Sequence, residues 1–173
     1  MDERIERTLG TYEEVADEYQ SRHGDRSDVE PIVEAFRDRV ADATSTADHA
    51  PRVLDVGCGP GWETASFTSA GFEVIGLDIT PSFLGDARDR APDAAFVRGD
   101  MRELPVADAS VDGLFALASL LHVPKGDVEN ALRAFRRVLV DEGVLTVVTK
   151  RTSADDRESP YGEADRRYFA YYE

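Results

Sequence analysis

The stretch that decides the fold is Val53 to Gly61, VLDVGCGPG, an apolar run that closes on acid and glycine and opens at once into a tight turn. Val53, Leu54 and Val56 have strand character, while Gly57, Gly59 and Gly61 place glycine at every second position of the turn that follows. Glycine has no Cβ and tolerates positive φ, so a loop of this kind lets backbone amides approach a ligand. Such loops also serve dinucleotides or merely turn the chain. Two features narrow the reading. The spacing departs from G-x-G-x-x-G, and Asp55, two residues before the first glycine, is an acid where a dinucleotide fold calls for an apolar residue.

Downstream of Arg52, short apolar segments alternate with amphipathic ones, the pattern of a parallel α/β sheet. Strands are expected at Val53 to Val56, Glu73 to Leu77, Ala95 to Val97, Gly113 to Ala118 and Val144 to Thr149. Helices are expected at about Glu63 to Ser69, Ser82 to Arg90 and Asp127 to Leu139. Crossovers of this type are right-handed, which divides the helices between the two faces and puts a ligand at the carboxyl ends of the strands, beside the first. The upstream residues read as helical. TYEEVADEYQ is one segment; SDVEPIVEAFRDRVADA is another, with Ser27 and Glu30 in capping-box spacing and Pro31 in the first turn. Ile32, Phe36, Val40 and Ala43 share a face of that helix. The organisation expected is a helical lead-in at 1–50, a ligand-binding core at 51–150 and a tail at 151–173.

Two more acids close the next strands. EVIGLD ends in Asp78, and the third strand runs into Gly99, Asp100 and Met101. A carboxylate at a strand end can accept from two hydroxyls at once. One acid in so acidic a chain is most simply a solvated charge, whereas three, each closing a consecutive strand of one sheet, form a set.

Along its whole length VLDVGCGPG resembles the first motif of the class I S-adenosylmethionine-dependent methyltransferases. The resemblance runs from about Tyr12 through Thr149 and implies a Rossmann-like doubly wound sheet of order 3-2-1-4-5 with S-adenosyl-L-methionine as cofactor. It makes Asp55, Gly57, Cys58, Gly59 and Gly61 the loop around the methionine moiety. Asp78, with Ile79 beside it, would hold the ribose hydroxyls, and Asp100 and Met101 the adenine. Ala118 and His122, just past the fourth strand, would neighbour the donor, and Tyr12 and Tyr19 of the lead-in helix could reach its carboxylate. The family's later antiparallel hairpin is expected to be lacking, which leaves the fifth strand, LTVVT, at an edge. Either the aromatic tail Tyr161 to Tyr172 covers that edge or a homodimer does, and self-association is the expectation.

Composition bounds the partners. The 173 residues carry 35 acidic against 20 basic side chains, a net charge of −15, and Lys125 and Lys150 are the only lysines. An Asp-rich, Lys-poor surface suits a high-salt cytoplasm, where self-repulsion is screened. The same balance argues against nucleic acid, since phosphate neutralisation needs clustered cations; Arg133, Arg136 and Arg137 read as a solvated helix face. No run approaches membrane-span length, and the charged MDERIERTLG lacks a signal-peptide core, so a cytoplasmic location is expected. Cys58 is the single cysteine, read as packing in the turn, and no metal site is expected.

The function expected is methyl transfer to a small-molecule acceptor. The alternatives are a donor-binding protein without transfer and, weakened by Asp55, a nicotinamide-dependent oxidoreductase. No catalytic residue is legible, because displacement at a sulfonium requires alignment and exclusion of water rather than a protein nucleophile.

Overall fold

The computed structural model describes residues 2–149, 165 and 167–170. Three helices, α1 (Glu3–Glu14), α2 (Ala16–His23) and α3 (Glu30–Ala43), precede a core of alternating elements. These are β1 (Arg52–Val56), α4 (Trp62–Ser69), β2 (Glu73–Asp78), α5 (Pro81–Arg90), β3 (Ala95–Arg98), β4 (Val111–Leu117), α6 (Val128–Val138) and β5 (Leu139–Val148). The five strands form one parallel sheet in the order β3-β2-β1-β4-β5.

Side-chain alternation splits the core between the faces of the sheet. Leu54, Val56, Leu114 and Ala116 pack with Ala131, Phe135 and Val138 of α6. Val53, Val74 and Phe115 point the other way, against Phe36 and Val40 of α3 and Phe67 of α4. Within residues 1–50, α3 supplies one wall of the core. Phe36, Phe67 and Phe115 meet with ring centroids 5.0 to 5.3 Å apart.

Three expectations change in detail. The capping box at Ser27 and Glu30 does not form: α3 begins at Glu30 without a side-chain cap. The Ser27 amide donates instead to Asp25 at 3.0 Å, and Arg26 is drawn to Glu63, which holds 27–29 in a turn. The lead-in segment TYEEVADEYQ is broken at Val15 into α1 and α2, and α1 starts much earlier, capped by the Asp2 carboxylate on the Arg4 amide at 2.8 Å. β5 starts at Leu139, five residues before the expected Val144, because Leu139 pairs with Val111 ahead of a register shift that resumes at Gly113 and Val144. Glu142 bridges that shift with φ of +64°.

Among the described residues β5 is an edge of the sheet, and Leu145 on it is 45% exposed. Within the tail, 161–164, Arg166, Tyr171 and Tyr172 lie outside the described residues. The described part, Asp165 and 167–170, does not lie along β5. It crosses the carboxyl end of the sheet, where the Tyr168 amide donates to Thr8 of α1 at 2.9 Å and the Ala170 amide to the Leu121 carbonyl at 2.6 Å. No helix among the described residues is long and apolar enough to cross a membrane.

Candidate active site

Parallel strands leave their last residues and the following loops on one end of the sheet, and the cavity lies there. Its interior volume is about 110 Å³. Gly57 and Gly59 line it from the first loop, Asp78 and Ile79 from the end of β2, Asp100 and Met101 from the end of β3, and Ala118 and His122 from beyond β4. Tyr12 of α1 and Tyr19 of α2 close it from above.

The two glycines of the loop do different things. Gly59, at φ +52°, has open space where a Cβ would stand, so its backbone is left bare toward the cavity. At Gly57, φ +72°, a Cβ would come within 2.2 Å of the Ser119 Cβ. Gly57 thus leaves room for Ser119, whose hydroxyl donates to the Val56 carbonyl at 2.7 Å, while it also lines the cavity. The loop is then tied to β2. One Asp78 carboxylate oxygen accepts the Gly59 amide at 2.8 Å and the other accepts the Thr80 amide at 2.8 Å. Burial raises the Asp78 carboxyl above its usual range, and these two N–H groups oppose the rise.

Past β4 the chain turns sharply at Ala118, a non-glycine residue at φ +49°, into a single 3₁₀ turn, Leu120–His122. Strain of this kind persists where the surroundings impose it, here the Ala118 amide bound to the Val148 carbonyl at 2.8 Å and Ser119 anchored on Val56. The turn delivers His122 to the cavity, and its Nε2 lies 2.9 Å from the Tyr12 hydroxyl. Its Nδ1 lies 2.8 Å from the Tyr168 carbonyl. Arg167 Nη1 donates to the Tyr12 oxygen at 3.3 Å, and Arg167 is itself held by Asp165 at 2.6 Å, the two side chains only 7% and 4% exposed.

Residues 53–143 match a methyltransferase domain family over more than half of the chain. The chain belongs to this methyltransferase family. The demethylmenaquinone methyltransferase of Renibacterium salmoninarum is 31% identical over 149 residues, covering 85% of this chain and 60% of that protein. The trans-aconitate 2-methyltransferase of Variovorax paradoxus is 35% identical over 64% of this chain and 41% of its own length. Among solved structures, S-adenosylmethionine-bound CalS10, an amino pentose methyltransferase of Micromonospora echinaspora, superposes with a TM-score of 0.63 at 28% identity over 78% of this chain and 55% of that one. The chain thus spans only about half the length of the relatives it matches. S-adenosylmethionine is the cofactor of this fold family. The cavity of the methyltransferase domain fits it: a bare backbone at Gly59 offers the close approach, and the buried Asp78 carboxylate keeps acceptor capacity beside it.

Of the twelve residues read from the sequence as its donor site, nine line the cavity: Gly57, Gly59, Asp78, Ile79, Asp100, Met101, Ala118, His122 and Tyr19. Asp55, Cys58 and Gly61 do not. Asp55 shares the face of β1 that looks at α4, where it accepts the Thr64 hydroxyl at 2.6 Å. Its burial, and then the neighbouring Glu63, raise its carboxyl to about 8 against the opposing Thr64 bond. Gly61 is the N-cap of α4 at φ +83° and faces Ala87 of α5. Cys58 is buried, and burial pushes its thiol up, which keeps it protonated and agrees with the packing role. Trp62, next to the loop, lies between the Arg26 and Arg90 guanidiniums and does not line the cavity.

Asp100 reaches the cavity with its carboxylate already engaged. Burial acts to raise it, but Arg102 binds both oxygens at 2.6 to 3.1 Å and holds it below the usual range. Arg102 also bridges to Asp127 at 2.7 Å.

Other lining residues escaped the sequence reading. Ile5 and Leu9 of α1 precede the already named Tyr12 at spacings of four and three, a helix-face pattern that was available as a signal. Arg167 and Tyr168, which bond Tyr12 and His122 from behind the lining, carry no such signal, because nothing local says that a charged tail returns to α1.

Proposed function

We propose that the domain transfers the methyl group of S-adenosylmethionine to a small-molecule acceptor. The observation that supports this best is the pairing, in one cavity, of a polar wall formed by Gly59, Asp78, Asp100 and the Met101 backbone with an apolar wall formed by Ile5, Leu9, Leu117 and Val123. On this reading Asp78 accepts the ribose hydroxyls with the lone pairs not used by Gly59 and Thr80. Ile79 and Met101 flank the adenine, and its amine shares the Asp100 carboxylate with Arg102. Ala118 and Tyr19 border the methionine end. When bound, the cofactor supplies an electrophilic methyl on a sulfonium, and the protein's task is to align the acceptor and keep water out. The apolar wall suits a small molecule, and a net charge of −15 disfavours a polyanion.

The test is calorimetric titration with S-adenosylmethionine, S-adenosylhomocysteine and a reduced nicotinamide dinucleotide, followed by incubation with methyl-labelled donor and a panel of small metabolites. Binding of the first two only, with label appearing in a metabolite, is the expected result. Donor binding with no transfer would leave a donor-binding protein, and nicotinamide binding would overturn the reading.

A further inference from the structure

The Tyr12–His122 contact is part of the cavity lining, and a lone histidine there would be unremarkable if both its nitrogens had not been assigned by their partners. A carbonyl oxygen only accepts, so His122 Nδ1, 2.8 Å from the Tyr168 carbonyl, carries the hydrogen. In the neutral ring Nε2 then holds the lone pair, and the Tyr12 hydroxyl 2.9 Å away donates to it. The Tyr12 oxygen accepts one bond from Arg167 at 3.3 Å, which leaves it one further acceptor position. Arg167 also stacks over the Tyr12 ring, 5.2 Å from its centroid, so the guanidinium fixes the phenol from two directions.

We infer that Tyr12 and His122 form a proton-accepting dyad that activates a hydroxyl acceptor, with Arg167 and the Tyr168 carbonyl as positioning groups. The inference rests on the methyl-transfer reading above. An acceptor O–H donates to the Tyr12 oxygen. As the acceptor oxygen's electron pair forms the O–CH₃ bond, the S–CH₃ bond breaks and its pair remains on sulfur. The acceptor proton passes to Tyr12 while the Tyr12 proton passes to His122 Nε2, and the imidazolium so formed keeps its Nδ1–H on the Tyr168 carbonyl. The products are a methyl ether, a neutral thioether and a protonated histidine, which releases its proton to solvent on product release.

The arrangement also selects the acceptor. A carboxylate is already an anion at neutral pH and needs no base. An ammonium acceptor would bring a cation up to Arg167, whereas an oxygen gaining negative charge is favoured there. Ile5, Leu9 and Val123 supply an apolar wall. The acceptor class is therefore an alcohol or phenol on an apolar body. Among the described residues, the charged and titratable groups around the dyad are Tyr19, whose ring packs edge-on against Tyr12 at 5.5 Å, Asp78 of the cavity lining and the Arg167–Asp165 pair of the tail.

Two measurements test this on the full chain. In donor-free protein with ¹⁵N-labelled histidine, His122 should be the neutral Nδ1–H tautomer; an Nε2–H tautomer overturns the dyad without reference to activity. With methyl-labelled donor, a panel of phenols, alcohols and carboxylic acids should yield alkali-stable ethers. Alkali-labile esters, or no label in any hydroxyl compound, overturn it. Tyr12→Phe should lower kcat, read at saturating donor, about 10²- to 10⁴-fold on phenol. The loss should shrink on p-nitrophenol, which brings its own oxyanion at neutral pH; an equal loss on both phenols means a structural role. His122→Gln should remove the acid limb of the kcat profile. If the wild-type chain does not bind the donor, the methyl-transfer reading fails; if it binds but makes esters, only the dyad fails.

Discussion

Asp78 and Gly59, nineteen residues apart, are joined by a 2.8 Å bond from the Gly59 amide to an Asp78 carboxylate oxygen. The bond couples the donor loop to the end of β2, so one side chain both shapes the loop and faces the cavity. Asp78→Asn keeps one oxygen acceptor and loses the other. It should lower affinity for S-adenosylmethionine by about 10- to 100-fold, one to two charge-assisted bonds' worth. Calorimetry on the folded variant measures this, and unchanged affinity would take Asp78 out of the donor site.

Gly57→Ala acts on the fold rather than on the ligand. The new Cβ meets Ser119, and φ of +72° adds left-handed strain, together about 2 to 4 kcal/mol of destabilisation. The double variant Gly57→Ala, Ser119→Gly should recover the part due to overlap and keep the part due to φ. Thermal unfolding of the set gives the answer; strict additivity of the two single changes would mean that the residues do not touch.

Asp55 makes stability depend on pH. Its carboxyl is raised to about 8 in the native state, so between about 4 and 8 the folded chain holds a proton that the unfolded chain has released. The contribution is fully present below pH 4 or so and is lost as pH rises through the folded value. Asp55→Asn keeps an acceptor for Thr64 and removes the titration. It should match the wild type near pH 4 and exceed it by at least about 1 kcal/mol near pH 9. Denaturant unfolding at the two pH values checks this, and a constant difference would show that Asp55 does not titrate in that window.

The proposal of self-association through β5 meets its test in Val147→Lys. The edge strand carries an exposed Leu145, and the described tail residues lie elsewhere. Light scattering across a concentration series should show a wild-type dimer that the lysine dissociates, with donor affinity little changed at the distant β1 loop. A wild-type chain that stays monomeric at every concentration would count against it.

The charge imbalance leads to an expectation about salt. With 35 acidic and 20 basic residues, screening of self-repulsion should raise the unfolding midpoint from dilute buffer to molar potassium chloride. A midpoint that is already maximal in dilute buffer would remove the high-salt interpretation of the composition.

What the sequence by itself determined was everything set by local chemistry and period, the parallel sheet, the turn at Gly57 to Gly61 and the strand-end position of Asp78 and Asp100, while the strand order came from the resemblance of VLDVGCGPG to a known motif. Strand ends of a parallel sheet are neighbours by construction, so acids that close consecutive strands meet without any further information. The tertiary structure alone decided which side chains of those segments reach the cavity. Asp55 and Asp78 share one face of the sheet by register, yet Asp55 stands inside β1 under α4, where it accepts the Thr64 hydroxyl, whereas Asp78 closes β2 beside the Gly59 loop. Gly57 lines the cavity and also leaves room for Ser119, a neighbour sixty-two residues away that no local pattern announces. The Tyr12, His122 and Arg167 cluster joins α1, the turn after β4 and the tail, three segments whose meeting depends on long-range packing that no local pattern encodes.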